Sequence, residues 1–149
     1  MKTKEKLMVN GIWLILVLSA VLRLWNLANI PPALTPDEAA LGYNAYSILK
    51  TGRDEHGDFL PIIFSSFGDY KPGLYVYATV PFVALFGLNE WSVRLPSAFA
   101  GILSVFLIYK IILSFAGSQK TKLPTTNYQL LANLSALSAS VSPWLIHLS

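Results

Sequence analysis

Two carboxylates in direct succession, Asp37 and Glu38, and an ammonium in the run Asp69-Tyr70-Lys71-Pro72 are the groups of this chain best suited to chemistry. A carboxylate can take a proton from an attacking hydroxyl, and a cation at a membrane edge can pair with a phosphate beneath the headgroups. Seven of the eight carboxylates fall between Trp25 and Arg94, a stretch flanked by almost pure hydrocarbon. An acidic, aromatic, Pro-punctuated loop held against a membrane by its own flanks suits work on a lipid-linked substrate.

Each of these residues also has a plainer reading. Thr35-Pro36-Asp37-Glu38 has a hydroxyl at the N-cap, proline at N1 and glutamate at N3, so the acids can simply complete a helix start. The two roles are compatible, with Glu38 folding back to cap while Asp37 projects outward. Lys71 can merely snorkel beside Pro72-Gly73 and the aromatic run Leu74, Tyr75, Tyr77. Asp69 is either its partner or a second acid in the same cleft. Asp54, Glu55, His56 and Asp58 are a metal set by residue type, but such a composition more often makes a solvated turn. His147, near the end of an apolar run, reads as interfacial packing.

The elements that position these groups follow from hydropathy. Of 149 residues, 54% are apolar and 13% charged, a membrane-class balance. The net charge of +3 is too small to indicate nucleic acid. The absence of cysteine excludes a disulfide framework and a thiolate metal site. A bilayer crossing needs roughly 20 apolar residues, and three segments qualify: Leu7–Leu24, Leu95–Phe115 and about Leu130–Leu148. The first follows a basic start but is longer than a signal-peptide core and lacks a cleavage site after Arg23, so it reads as a retained anchor. The second is expected to open with Pro96 in its first turn and close at Gly117. In the third, Ser135, Ser138, Ser140 and Ser142 are expected to form the small-residue packing face. The sequon at Asn133 lies inside this apolar run and reads as accidental.

Leu74–Leu88 is apolar but short and contains Pro81. If it crossed, Lys110, Lys120 and Lys122 would lie outside and Arg94 inside, against the positive-inside bias. It is therefore expected to lie along the outer interface. The resulting fold class is an all-α integral membrane protein with about three transmembrane helices and a long outer loop, 25–94, carrying short interfacial helices. Within that loop a helix is expected from Pro36 to a stop at Gly52, with Leu41, Tyr46, Ile48 and Leu49 on its apolar side and Tyr43 and Asn44 beside it.

In order along the chain, "RLWNL", "PDEAALGYNAYSIL", "GDYKPGLYVY", "FGLNEWSVRLPSAFAGILSVFLIY" and "SPWLIHLS" resemble the N-terminal part of the GT-C integral-membrane glycosyltransferases. The similarity points to the branch of dolichyl-phosphate-mannose protein mannosyltransferases and bacterial aminoarabinose transferases, and it covers nearly all of residues 1–149. It implies transfer of a hexosyl or pentosyl group from a polyprenyl-phosphate donor to an extracytoplasmic protein, lipid or glycan acceptor, usually with inversion. A multi-pass cell-membrane protein is expected, with the N-terminus placed in the cytoplasm by the lysine asymmetry. Carried over residue by residue, Asp37 matches a catalytic base near the acceptor and Glu38 its neighbour. Lys71 matches a lysine near the donor phosphate; Asp69, Tyr43 and Tyr70, which the match does not carry over, are expected as further substrate-binding positions from the residues themselves. No cofactor is required, although a divalent metal could share the phosphate charge. Lys71-Pro72-Gly73 stands where many relatives carry Lys-Pro-Pro, and the glycine is expected to loosen that turn.

Relatives of this kind continue through many more spans, so the chain is expected to be a piece truncated after Ser149 and inactive alone. The alternative reading is a noncatalytic membrane subunit that binds lipid-linked glycan. A transporter or channel fragment is disfavoured, because polar residues cluster outside the spans rather than within them.

Overall fold

The computed structural model describes residues 2–66, 68–118 and 125–142, without the side chains of 2–10, 116–118, 125 and 126. It contains five helices and one hairpin: α1 (Lys2–Leu24), α2 (Pro36–Thr51), β1 (Ile63–Ser66), β2 (Asp69–Pro72), α3 (Leu74–Phe86), α4 (Glu90–Ser118) and α5 (Thr125–Val141). The chain divides into two compact units, one of residues 1–25 and 97–149, the other of residues 26–96.

The first unit is helical. Ile12 of α1, Val105 and Tyr109 of α4, and Ala132, Ala136 and Ala139 of α5 form its buried core. The positions Ile12, Ser19 and Arg23 recur at helical spacing, so α1 turns one stripe inward and leaves Trp13, Leu14, Val17 and Val21 exposed. Gly11 of α1 sits against Asn133 of α5, and a Cβ there would stand 3.1 Å from Asn133 Nδ2. At the far end of the same helices, Arg23 Nη1 donates to Ser140 O (3.3 Å) and Nη2 to Ala139 O (3.4 Å). The two contacts advance in the same sense along both chains, so α1 and α5 run parallel. The small-residue face of α5 is made by Ala132, Ala136 and Ala139 with Ser140, so that of the expected serines Ser140 is buried in it, Ser135 and Ser142 are half-buried and Ser138 is exposed. Ser138 faces outward and turns its hydroxyl back to Leu134 O (2.9 Å). The reason is the helical period: the alanines are spaced by four and three residues and share a face, which Ser138 does not.

Among the described residues, α4 is the one helix long and apolar enough to cross a membrane, over Glu90–Phe115. Gly11–Leu24 and Leu74–Phe86 are shorter apolar helices. The last part of the expected third span, with His147, lies outside the described residues, as do Lys120 and Lys122. Pro96 is not at the start of α4, contrary to expectation. The helix begins at Glu90, because Asn89 Oδ1 accepts from Ser92 N (2.9 Å) and supplies an earlier cap.

The second unit packs α2, α3 and the hairpin around Ala45, Ile48, Phe64, Val76 and Val83. Phe64 is 1% exposed, and burying such a side chain stabilises by about 1.5–3 kcal/mol. Its ring meets Tyr77 edge-on, with centroids 5.8 Å apart. The hairpin corrects the all-α expectation for the loop. β1 and β2 pair antiparallel with Ile63 opposite Pro72 and Ser66 opposite Asp69, and Gly68 turns at φ +80°. Alpha-helix α3 spans Leu74–Phe86, a length of about 20 Å at the usual rise per residue, well short of a hydrocarbon core of roughly 30 Å. Gly73 does not loosen the turn before it. Its N–H donates to Ile62 O (2.8 Å), and a Cβ there would lie 2.7 Å from that same oxygen and from the Phe64 ring. Glycine permits this close approach and so fixes the exit of β2.

Candidate functional site

The site is built on the first turn of α2, in the form that its sequence punctuation predicts. Thr35 Oγ1 accepts from Glu38 N (3.2 Å), Thr35 N donates to Glu38 Oε2 (2.8 Å), and Pro36 occupies the first turn. At the other end Gly52 adopts the left-handed conformation and donates to Ile48 O (2.9 Å). With the cap made by Thr35 and Glu38, Asp37 is left exposed.

Lys71, near the end of β2, reaches across to this turn, and its Nζ donates to Asp37 Oδ1 at 2.5 Å. The two side chains are unequally covered. Lys71 is 16% exposed and Asp37 72%. The ammonium is thus set into the body of the unit while the carboxylate faces outward. An ammonium has three donors, and one is spent on Asp37.

Glu38 is held differently. Arg94, buried in the early part of α4, donates from Nε to Glu38 Oε1 (2.8 Å) and from Nη2 to Oε2 (3.3 Å). Burial pushes the Glu38 carboxyl up, but the hydrogen bonds and charge of Arg94, with the Thr35 N–H, outweigh it and hold the group below the usual carboxylate range. Arg94 also donates to the carbonyls of Leu27 (2.9 Å), Pro31 (3.0 Å) and Ala33 (2.8 Å). In the sequence Arg94 marks topology and opens the Arg-Leu-Pro-Ser run of the resemblance, but it has no expected role in the site. The available signal was a charge within an apolar stretch five residues past Asn89, which must find partners if it is buried.

The other expected site residues are placed less centrally. Asp69 is exposed and its Oδ1 accepts from Tyr70 N (2.8 Å), so Lys71 is partnered by Asp37 instead. Strand alternation puts Asp69 on the Lys71 side of β2 and the exposed Tyr70 on the other. Tyr43 is exposed on α2, and its separation from Asp37 carries it about 240° around the helix.

Asp54, Glu55, His56 and Asp58 form a turn. Buried Asp54 accepts through Oδ1 from His56 N (2.9 Å) and Asp58 N (2.8 Å). Asn44 ties this turn to α2, accepting from Glu55 N (3.0 Å) and donating to Glu55 Oε1 (3.1 Å). His56 Nε2 lies 3.0 Å from Ser65 O. Among the described residues no three or more His, Asp or Glu side chains converge as a metal site.

The same chain thus carries a helix apolar and long enough to cross a membrane and a capped, ion-paired acidic turn. The family model described as dolichyl-phosphate-mannose-protein mannosyltransferase matches residues 13–140, most of the chain, and the chain belongs to that family. It is also similar to "Putative mannosyltransferase YycA" of Bacillus subtilis (strain 168), 40% identical over 42 residues. That match covers 28% of this chain and 6% of the relative. No solved structure matches the chain.

Proposed function

We propose that this chain supplies the acceptor base and the donor-phosphate cation of a glycosyltransferase that moves a sugar from a polyprenyl-phosphate carrier to a hydroxyl at the extracytoplasmic face. The observation that carries this reading is the contact of Lys71 with Asp37, which puts a sheltered ammonium and an outward-facing carboxylate in one place. In the reaction the acceptor oxygen forms a bond to the anomeric carbon while the bond from that carbon to the phosphate oxygen breaks. Asp37 takes the hydroxyl proton and the polyprenyl phosphate leaves with the bonding pair. The two donors of Lys71 not spent on Asp37 meet the charge that grows on that phosphate. Attack opposite the departing phosphate gives inversion. Glu38 serves by shaping the turn that presents Asp37. Asp69, on the Lys71 side of β2, lines the donor side, and exposed Tyr43 and Tyr70 offer ring faces to sugar or lipid.

The topology that goes with this function has α1, α4 and α5 crossing, the N-terminus in the cytoplasm and residues 25–94 outside. The parallel course of α1 and α5 supports it, since one intervening crossing returns the chain to its starting side and two would make these helices antiparallel. The shortness of α3 agrees. Cysteines introduced at Asp58 and Asn89 should react with an impermeant reagent added outside, and one at Lys120 should not. Protection of Asn89 alone would mean that α3 crosses.

The activity is tested by supplying radiolabelled polyprenyl-phosphate mannose to membranes carrying an intact transferase of this family in which residues 1–149 are embedded, and following label into protein and glycolipid; residues 1–149 by themselves are expected not to transfer. Transfer that requires both Asp37 and Lys71 is expected. Transfer indifferent to both would remove the proposed roles.

A further inference from the structure

We propose that Arg94 is the positioning residue for the Asp37 base, a role that rests on the reading of Asp37 given above. A guanidinium has five N–H donors in a rigid fork, and here every one is engaged. Nε meets Glu38 Oε1, Nη2 meets Glu38 Oε2 and Ala33 O, and Nη1 meets the carbonyls of Leu27 and Pro31, with Ala28 O at 3.4 Å. These contacts fall on both sides of Asp37. Ala33 lies in the strap that enters α2, and Glu38 is the residue that follows the base. The strap includes two non-glycine residues in the left-handed region, Asn26 at φ +56° and Ala33 at φ +145°. Such conformations persist where surrounding contacts over-determine them, and Arg94 supplies those contacts to Ala33 directly. Asp37 itself is exposed and its carboxylate is held by Lys71, so its direction depends on where the turn beneath it sits.

A lysine at this position would keep the charge but could not reach carbonyls and carboxylate together. Arg94→Lys and Arg94→Gln are therefore expected to lower kcat by about 10²-fold, the scale of a misplacement near 1 Å, with the KM for polyprenyl-phosphate mannose within about twofold of wild type. Loss of folding alone would instead reduce the amount of active protein and leave kcat per folded molecule and KM as they were. A second readout needs no turnover. Release of Asp37 from Lys71 should raise the rate at which an impermeant acylating reagent modifies the Lys71 amine, measured by peptide mass.

If Arg94→Gln does not fold, Glu38→Gln keeps the carbonyl contacts of Arg94 but weakens the hold on the turn, and it should show the same kcat and KM split with faster Lys71 labelling. Unchanged kcat per folded molecule and unchanged labelling in either variant would overturn the proposal. Full turnover by Asp37→Asn would defeat the base reading itself, while the labelling result would still report whether Arg94 orients the pair.

Discussion

Asp37 and Lys71 are separated by 34 positions in the chain, yet the ammonium of one rests 2.5 Å from a carboxylate oxygen of the other. The contact joins the first turn of a helix to the last residues of a hairpin, and it survives beside water because the lysine is mostly covered. A pair with one partner in water contributes only about 0–1 kcal/mol to stability.

Asp37→Asn should accordingly leave the unfolding midpoint nearly unchanged and reduce transfer by about 10²–10⁴-fold. Thermal unfolding and single-turnover transfer, measured on the same preparation, check the two halves separately. Near-normal transfer would leave Asp37 as a residue of the helix start alone.

Lys71→Met should act mainly on the donor. Its KM for polyprenyl-phosphate mannose should rise and kcat should fall, whereas Lys71→Arg should restore part of the loss because a cation returns. A change confined to acceptor concentration dependence would remove the phosphate role.

Glu38 gives a pH signature. Burial raises its carboxyl, the Arg94 and Thr35 contacts lower it by more, and in the folded chain the group lies below its ordinary value of 4.5. The stability linked to this group is present above that ordinary value, taken by the unfolded chain, and is lost as pH falls through the folded one, so the sensitive window opens at the unfolded value and extends below it. Unfolding curves between pH 3 and 6 should be steeper at the acid end for wild type than for Glu38→Gln. Parallel curves would show that Glu38 does not report this linkage.

Gly73→Ala should destabilise the second unit by about 1–3 kcal/mol, because the new Cβ meets a backbone carbonyl that cannot swing aside. Phe64 and the exit of β2 would shift with it, so Lys71 labelling should quicken as well. A neutral change in urea unfolding would mean that the β2 exit gives way easily.

Asp54→Ala should cost about 1–3 kcal/mol through the loss of acceptors for two backbone N–H groups, with turnover per folded molecule preserved. Loss of turnover restored by added divalent cation would instead assign this turn a metal role.

What the amino-acid order determined by itself was local. Thr35, Pro36 and Glu38 satisfy backbone groups within one turn of themselves, Gly52 ends the same helix by its own backbone freedom, and the apolar length of α4 is a property of consecutive residues. Each of these signals closes over a few positions, so it can be read without knowing the neighbours in space. The family resemblance likewise carried Asp37 and Lys71 as candidates without saying that they touch. Tertiary structure alone decided that Lys71 belongs to Asp37 rather than to Asp69, that Arg94 gathers the strap and Glu38, and that three alanines join Ser140 in the packing face of α5 while Ser138 turns outward. Those outcomes depend on which buried donors and surfaces meet across tens of residues, where a charge removed from water takes whichever partner the packing brings within reach.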